Sequence, residues 1–250
     1  MRRLMIFLYK KLLPVAWSWS KRIYSSFTPP WARARLSIGV EPLSYTWGQD
    51  RGREIARYYL EELFLTEFRE DIRGRCLEFN ENRYTSRFGA RSKITEIDIL
   101  NLEDDNPATT IQADLTKPNS IPSDVFDCII CTHVLHVIYE FDQAIADLHR
   151  ILKPGGVLLI AVPQTSMYVP GLNELWRFTQ EGLNLALAKS FQPQNITMRT
   201  YGNSLAAAGE IRGLAAHEFT RRELHHHDVR FAVEVCARVM KAGREVQHAA

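Results

Sequence analysis

Two hydrophobic periods alternate along the chain from residue 50 onward. Between Asp50 and Gly74, apolar positions recur at helical spacing, with Ile55, Tyr58, Tyr59, Leu63 and Phe64 on one face. That pattern predicts a helix with Asp50 as its N-cap. "RCLEF" (75–79) then reads as a first strand. "SKITEIDIL" reads as a second, ending at Asp98, and "ATTIQADL" as a third, ending at Asp114. "FDCIICTHVL" is almost continuously apolar, as a strand buried on both faces should be. "EFDQAIADLHRIL" returns to the helical period, "KPGG" stops it, and "VLLIAV" is a fifth strand. Strands alternating with helical crossovers predict βαβ units and a mostly parallel sheet.

After Pro163 the pattern loosens. Residues 164–178 predict a loop with a short helix at "GLNELWRF". Thr179 caps a helix at "QEGLNLALAKSF". "NITMRTY" is a strand, "NSLAAAGEIRGLA" a helix of small residues, and "DVRFAVEVCARVMK" alternates toward a last strand. The body therefore runs over 41–243, with an insertion at 164–195 and a loose tail at 244–250.

Composition adds an asymmetry. The chain has 31 basic and 29 acidic residues among 250. Eight basic and no acidic residues fall in 1–40, which leaves residues 41–250 with a net charge of −6. The body's charge gives no reason to expect a nucleic-acid partner. The 1–40 segment is a basic arm and linker carrying Trp17, Trp19 and Trp31. Its apolar runs are broken by Lys10, Lys11 and Pro14, far short of the roughly 18 residues that span a bilayer. Aromatics among cations suit an anionic membrane surface through residues 1–35; a loose extension and a transit peptide are the other readings. The expected location is cytoplasmic, with peripheral membrane attachment through the arm.

Cys128 and Cys131 have metal-ligand spacing but no second pair, so buried free thiols are expected and no metal site. Free thiols suit a reducing compartment. His225, His226 and His227 are adjacent, and three neighbours cannot all face one ion on a helix or strand.

The candidate chemistry sits at strand ends, where open parallel sheets bind ligands. Glu78, Asp98 and Asp114 each follow an apolar run, and carboxylates there can accept hydrogen bonds from ribose hydroxyls or amino groups. Three acids on successive strands are harder to read as turn residues than one.

The stretch "FDCIICTHVLHVIYEFDQAIADLHRILKPGGVLLIAVP" resembles the class I S-adenosylmethionine-dependent methyltransferases of the broad type 11 group. The resemblance covers 74–163 well and 45–240 loosely. It implies a Rossmann-like, seven-stranded, mostly parallel sheet flanked by helices, with the last strand antiparallel. It implies S-adenosylmethionine as cofactor and S-adenosylhomocysteine as product. Residue by residue, it places Glu78 near the methionine amino end, Asp98 at the ribose, and Asp114 with the Leu115 backbone at the adenine. Thr132 and His133 fall under the methionine part, and His133 becomes the candidate base. His136 reads as structural. Tyr168, Trp176, Arg177 and Phe178 are candidate lining for the acceptor, a small molecule or a glycan or lipid-linked group, methylated on oxygen or nitrogen.

One loop departs from the pattern. The family's acid-x-Gly-x-Gly-x-Gly becomes Glu78 followed by Asn80, Asn82 and Tyr84 at the glycine positions. Asparagine tolerates the left-handed conformation that glycine serves, so Asn80 and Asn82 are expected to hold the turn beside the cofactor. Tyr84 implies a short or displaced helix ending near Gly89. The loop leaves a second reading, a catalytically inactive relative serving as a binding or scaffold subunit.

Overall fold

The computed structural model describes residues 39–103 and 106–243. Nearly all of the basic arm, and the tail, lie outside the described residues. A first helical stretch, α1, runs through Ile55–Tyr58, a π-helical Tyr59–Phe64 and Leu65–Glu67. The wider π turn buries Tyr59, Leu60 and Glu61 in succession, which a regular helix would not place on one face. Glu61 stays charged-paired inside by accepting from Arg53 at 3.0 Å and Arg87 at 2.6 Å. Asp50 is not the cap: Glu54 precedes the helix, and Asp50 accepts from the Ser44 hydroxyl at 2.6 Å.

Strands β1 (Gly74–Phe79), β2 (Ile94–Asn101), β3 (Ile111–Gln112), β4 (Phe126–Thr132), β5 (Leu152–Pro163), β6 (Ile196–Tyr201) and β7 (Glu234–Met240) form one sheet. Its order is β3-β2-β1-β4-β5-β7-β6, with β7 antiparallel to both neighbours and β1 to β5 parallel. The expected seven-stranded, mostly parallel architecture with an antiparallel last strand is present. Helices α2 (Arg83–Phe88), α3 (Phe141–Ile151), α4 (Gln180–Ala188), α5 (Ser204–Ile211) and α6 (Arg221–His225) flank it.

Strand alternation divides the core. Leu77, Ile129, Cys131, Leu158 and Ile160 pack under α3 and α4 with Ile145, Leu148 and Leu187. Cys76, Cys128, Ile130 and Leu159 face the other way, against Leu60 and Phe64 of α1. Each such fully buried aliphatic contributes about 1.5–3 kcal/mol relative to exposure. All four cysteines are free and buried, as expected. A third cluster, with Ile55, Tyr59, Ala206, Leu214, Phe219 and Val233, ties α1 to α5 and to the chain entering β7. Gly209 permits that contact: a Cβ there would meet Phe219 Cζ at 2.4 Å.

Several local expectations change. β2 continues through Ile99 and Leu100 to Asn101, so Asp98 is not at the strand end. Residues Ile99 and Leu100 are apolar and pair with Glu78 and Phe79, which carries the ladder onward. β3 is only Ile111–Gln112. No helix forms at "GLNELWRF"; that segment is irregular and hangs on His136, whose carbonyl accepts from the N–H groups of Leu175 and Trp176 at 2.8 and 3.0 Å. Thr179 does cap α4, accepting from Gly182 N at 3.1 Å.

Candidate active site

The carboxyl ends of β1, β4 and β5 and the start of β7 meet on one crest. His133 follows β4 directly and takes φ of 55°, a left-handed conformation that costs a non-glycine residue about 1–2 kcal/mol. Its N–H donates to Ala161 O of β5 at 2.9 Å. Its Nε2 lies 3.0 Å from Oε1 of Glu234, the first residue of β7. The antiparallel register sets Glu234 opposite Pro163, so the contact spans β5. Glu234 is fully buried, while the His133 side chain is 40% exposed. Both line a cavity of about 470 Å³, whose wall also includes Trp47, Glu54, Arg57, Tyr84, His136, Glu174 and Glu210. The exposed part of His133 therefore opens on a space ringed by protein.

Burial alone would push the His133 imidazole down; Glu234, with Glu210 and Glu54 beyond it, outweighs that and raises it. Glu210 enters from α5 and accepts from Ala56 N of α1 at 3.3 Å. Burial, and beside it Glu234 and Glu54, push its carboxyl up to about 8. Glu54 is held by the Gln49 amide and by Arg57 at 3.2 Å. One oxygen of Glu54, one of Glu234 and Nδ1 of His136 are buried without a hydrogen-bond partner among the described residues. His136 is pushed down to about 4 by burial and by His133, and lies 3.6 Å from Glu174.

The first loop adopts its shape with one of its two asparagines. Asn80 takes φ of 65°, whereas Asn82 sits at −100° as the residue before α2. Glu78 is buried and accepts from Tyr84 N and Thr85 N at 2.9 and 2.8 Å, so it satisfies two amides at the start of α2. Burial raises its carboxyl against those bonds. Tyr84 packs with Phe88, and α2 ends at Gly89 after six residues, the short helix that the sequence implied. The Asn106 amide donates to Asn80 O at 2.6 Å and joins the loops after β1 and β2.

Asp98 lies below that crest. It accepts from Arg75 Nε at 2.7 Å and from Thr110 at 3.1 Å. The residue at the tip of β2 is Asn101, whose amide donates to Thr109 at 2.8 Å. Asp114 follows β3 and accepts from Thr116 N at 2.9 Å, with Lys117 at 2.8 Å. Lys117 and Thr116 hold it down at about 2. Leu115 is buried beside it, and Thr132 ends β4.

The acceptor-side residues expected from the sequence fall away from the cavity wall. Trp176 donates to Ile138 O at 2.9 Å and packs edge-on against Phe141, as does the buried Phe178. Arg177 pairs with Glu174 at 3.0 Å, and Tyr168 points outward at 61% exposure. From that segment Ser166, Leu172 and Glu174 line the cavity instead. Glu54, Glu210 and Glu234 escaped the sequence reading because each lies in an amphipathic or alternating run, where an acid looks like solvent-facing polarity. His225 meets Tyr58 OH at 2.9 Å and His227 meets Thr200 at 2.8 Å, each turned to a different neighbour.

A parallel sheet in this order with an antiparallel β7 is the class I methyltransferase architecture. Residues 82–160 match a family model described as a methyltransferase domain. Over those residues the chain is similar to S-adenosylmethionine-dependent methyltransferases, which points to S-adenosylmethionine as the cofactor. Among similar solved structures is a SAM-dependent methyltransferase from Archaeoglobus fulgidus, 11% identical over 75% of this chain and 92% of that one, TM-score 0.49. Another is the Burkholderia thailandensis 1,6-didemethyltoxoflavin-N1-methyltransferase with its substrate and S-adenosylhomocysteine, 13% identical over 74% and 80%, TM-score 0.45. A third is the 4+2-cyclase SpnF, 16% identical over 72% and 81%, TM-score 0.45. No curated protein matches the chain.

Proposed function

We propose that the protein methylates a small molecule held in the cavity beside His133, and that His133 receives the proton the acceptor loses. The observation that carries this is the His133–Glu234 pair, 3.0 Å apart at the strand tips and open to the cavity. S-adenosylmethionine supplies an already activated methyl group, so the protein's work is alignment, water exclusion and proton removal. Against a carboxylate the imidazole donates from Nε2, which leaves Nδ1 to accept a proton. Glu234 acts through His133 and is a positioning residue.

The cofactor groove would be built by Asn80, Asn82 and Glu78 at the methionine end, Thr132 beneath, Asn101 at the ribose in place of Asp98, which is held below it by Arg75, and Asp114 with Leu115 at the adenine. The left-handed Asn80 supports the fit, because the turn keeps the conformation that glycine serves. The same observation weighs against an inactive scaffold, whose main support was the loss of glycines. The cavity of about 470 Å³ suits a small acceptor. The basic arm supports a site of action at an anionic membrane; liposome flotation with and without residues 1–40 tests that. For the reaction itself, isothermal titration with S-adenosylhomocysteine should give micromolar affinity, roughly −8 kcal/mol. No heat at millimolar ligand overturns the proposal.

A further inference from the structure

We infer that the acceptor is an amine, recognised in its protonated form by Glu54, Glu210 and Glu234. The inference rests on the methyl-transfer reading only for the word acceptor; the cation site stands on its own geometry.

Three glutamates from three separate segments turn into one cavity: Glu54 ahead of α1, Glu210 in α5 and Glu234 at the start of β7. Their exposures are 7%, 2% and 0%. Burying carboxylates costs several kcal/mol each unless they are paired and hydrogen-bonded. The pairing here is incomplete. Glu54 has Arg57 and the Gln49 amide, both on one oxygen, Glu234 has His133, and Glu210 has one backbone N–H. One oxygen of Glu54 and one of Glu234 are buried with no partner among the described residues. A fold that closes over unsatisfied carboxylate oxygens at a cavity wall leaves them for a ligand.

An ammonium group answers both deficits at once. It brings three N–H donors and one positive charge. A hydroxyl brings one donor and no charge, so the carboxylates stay crowded. The crowding is visible in Glu210, whose carboxyl burial and Glu234 hold up at about 8. Trp47 lines the same wall, and cations are attracted to indole rings. Glu174, a fourth carboxylate of the wall, is already paired with Arg177 at 3.0 Å, and the wall's cation Arg57 with Glu54 at 3.2 Å.

Matched pairs test the idea: 2-phenylethylamine against 2-phenylethanol, and glucosamine against glucose. Each is titrated into the full chain at pH 7, with and without saturating S-adenosylhomocysteine. The amines should bind at least tenfold more tightly than the alcohols. Glu54→Gln and Glu234→Gln should each weaken the amine at least tenfold, while Glu81→Gln, on the exposed first loop, should not. Should Glu234→Gln fail to fold, Glu54→Gln carries the test from a different segment. Alcohols binding as well as amines would overturn the inference, and so would amine affinity unchanged in both glutamine variants. Absence of binding by every amine up to about 20 mM would do the same. Displacement of the amine by S-adenosylhomocysteine would assign the cavity to the cofactor's own amino-acid end and end the acceptor assignment. Titrating S-adenosylhomocysteine alone reports on the methyl-transfer reading separately.

Discussion

His133 and Glu234 stand 101 residues apart in sequence and 3.0 Å apart at Nε2 and Oε1. Strand β5 lies between the elements that carry them, and its antiparallel pairing with β7 brings Glu234 back to the crest where β4 ends.

The base proposed at His133 makes specific demands on variants. His133→Asn should lower kcat about 10²- to 10⁴-fold while leaving S-adenosylhomocysteine affinity within about threefold. Glu234 raises His133, so Glu234→Gln should let the imidazole fall. The acidic limb of the pH–kcat profile should then move to lower pH. A profile that keeps its limb in place would deny Glu234 its positioning role.

Glu210 predicts a pH dependence of stability. Its carboxyl is raised from 4.5 to about 8, so the folded state keeps a proton that the unfolded chain has released. Stability therefore falls as pH rises between about 4.5 and about 8, by an amount on the order of 4 kcal/mol. The raised His133 runs the same way, since its stabilisation is lost above its own pKa. Glu210→Gln should flatten most of the slope of Tm against pH and leave the histidine's share. A variant as steep as the parent would deny Glu210 that role.

Asp98 and Asn101 should separate stability from cofactor affinity. Asp98→Asn weakens a charge-assisted bond to Arg75 and should cost about 1–3 kcal/mol, a drop in Tm of roughly 2–12 °C. S-adenosylhomocysteine should still bind within about threefold. Asn101→Ala should weaken binding about tenfold or more with a smaller change in Tm. The opposite pattern in a paired melting and titration experiment would return the ribose to Asp98.

Asn80 and Asn82 should respond oppositely to glycine. At φ of 65°, Asn80→Gly relieves the left-handed conformation and should be neutral or stabilising, whereas Asn80→Ala should cost about 1 kcal/mol. At −100°, Asn82→Gly only loosens the chain before α2 and should destabilise by about 0.5–1 kcal/mol. Chemical denaturation of the three variants decides it.

The sheet was legible because its signals are local. Alternation in "FDCIICT" and the helix-to-strand turn at "KPGG" specify elements whose burial then follows. Boundaries were less legible: β2 runs beyond Asp98 because Ile99 and Leu100 still have partners on β1, and a single strand does not display its partner's length. The site divided along the same line. His133 stands in a contiguous motif and lines the cavity. Its three glutamates come together only through the pairing of β7 with β5 and the packing of α5 on α1, and nothing in the spacing of 54, 210 and 234 announces that. Trp176 and Phe178 pack on Phe141, since aromatics in a loop serve the core as readily as a ligand.

The Ala56–Glu210 hydrogen bond closes 154 residues of chain. Closing so long a loop is slow and entropically costly, and contacts of that kind form late in folding. A nascent chain that has completed β1 to β5 therefore already owns His133 and the strand-tip loops, but not the charged wall facing them. Only the arrival of α5 and β7 supplies it. A stop codon between residues 205 and 210 would leave a molecule with much of the sheet but neither Glu210 nor Glu234 on the cavity wall.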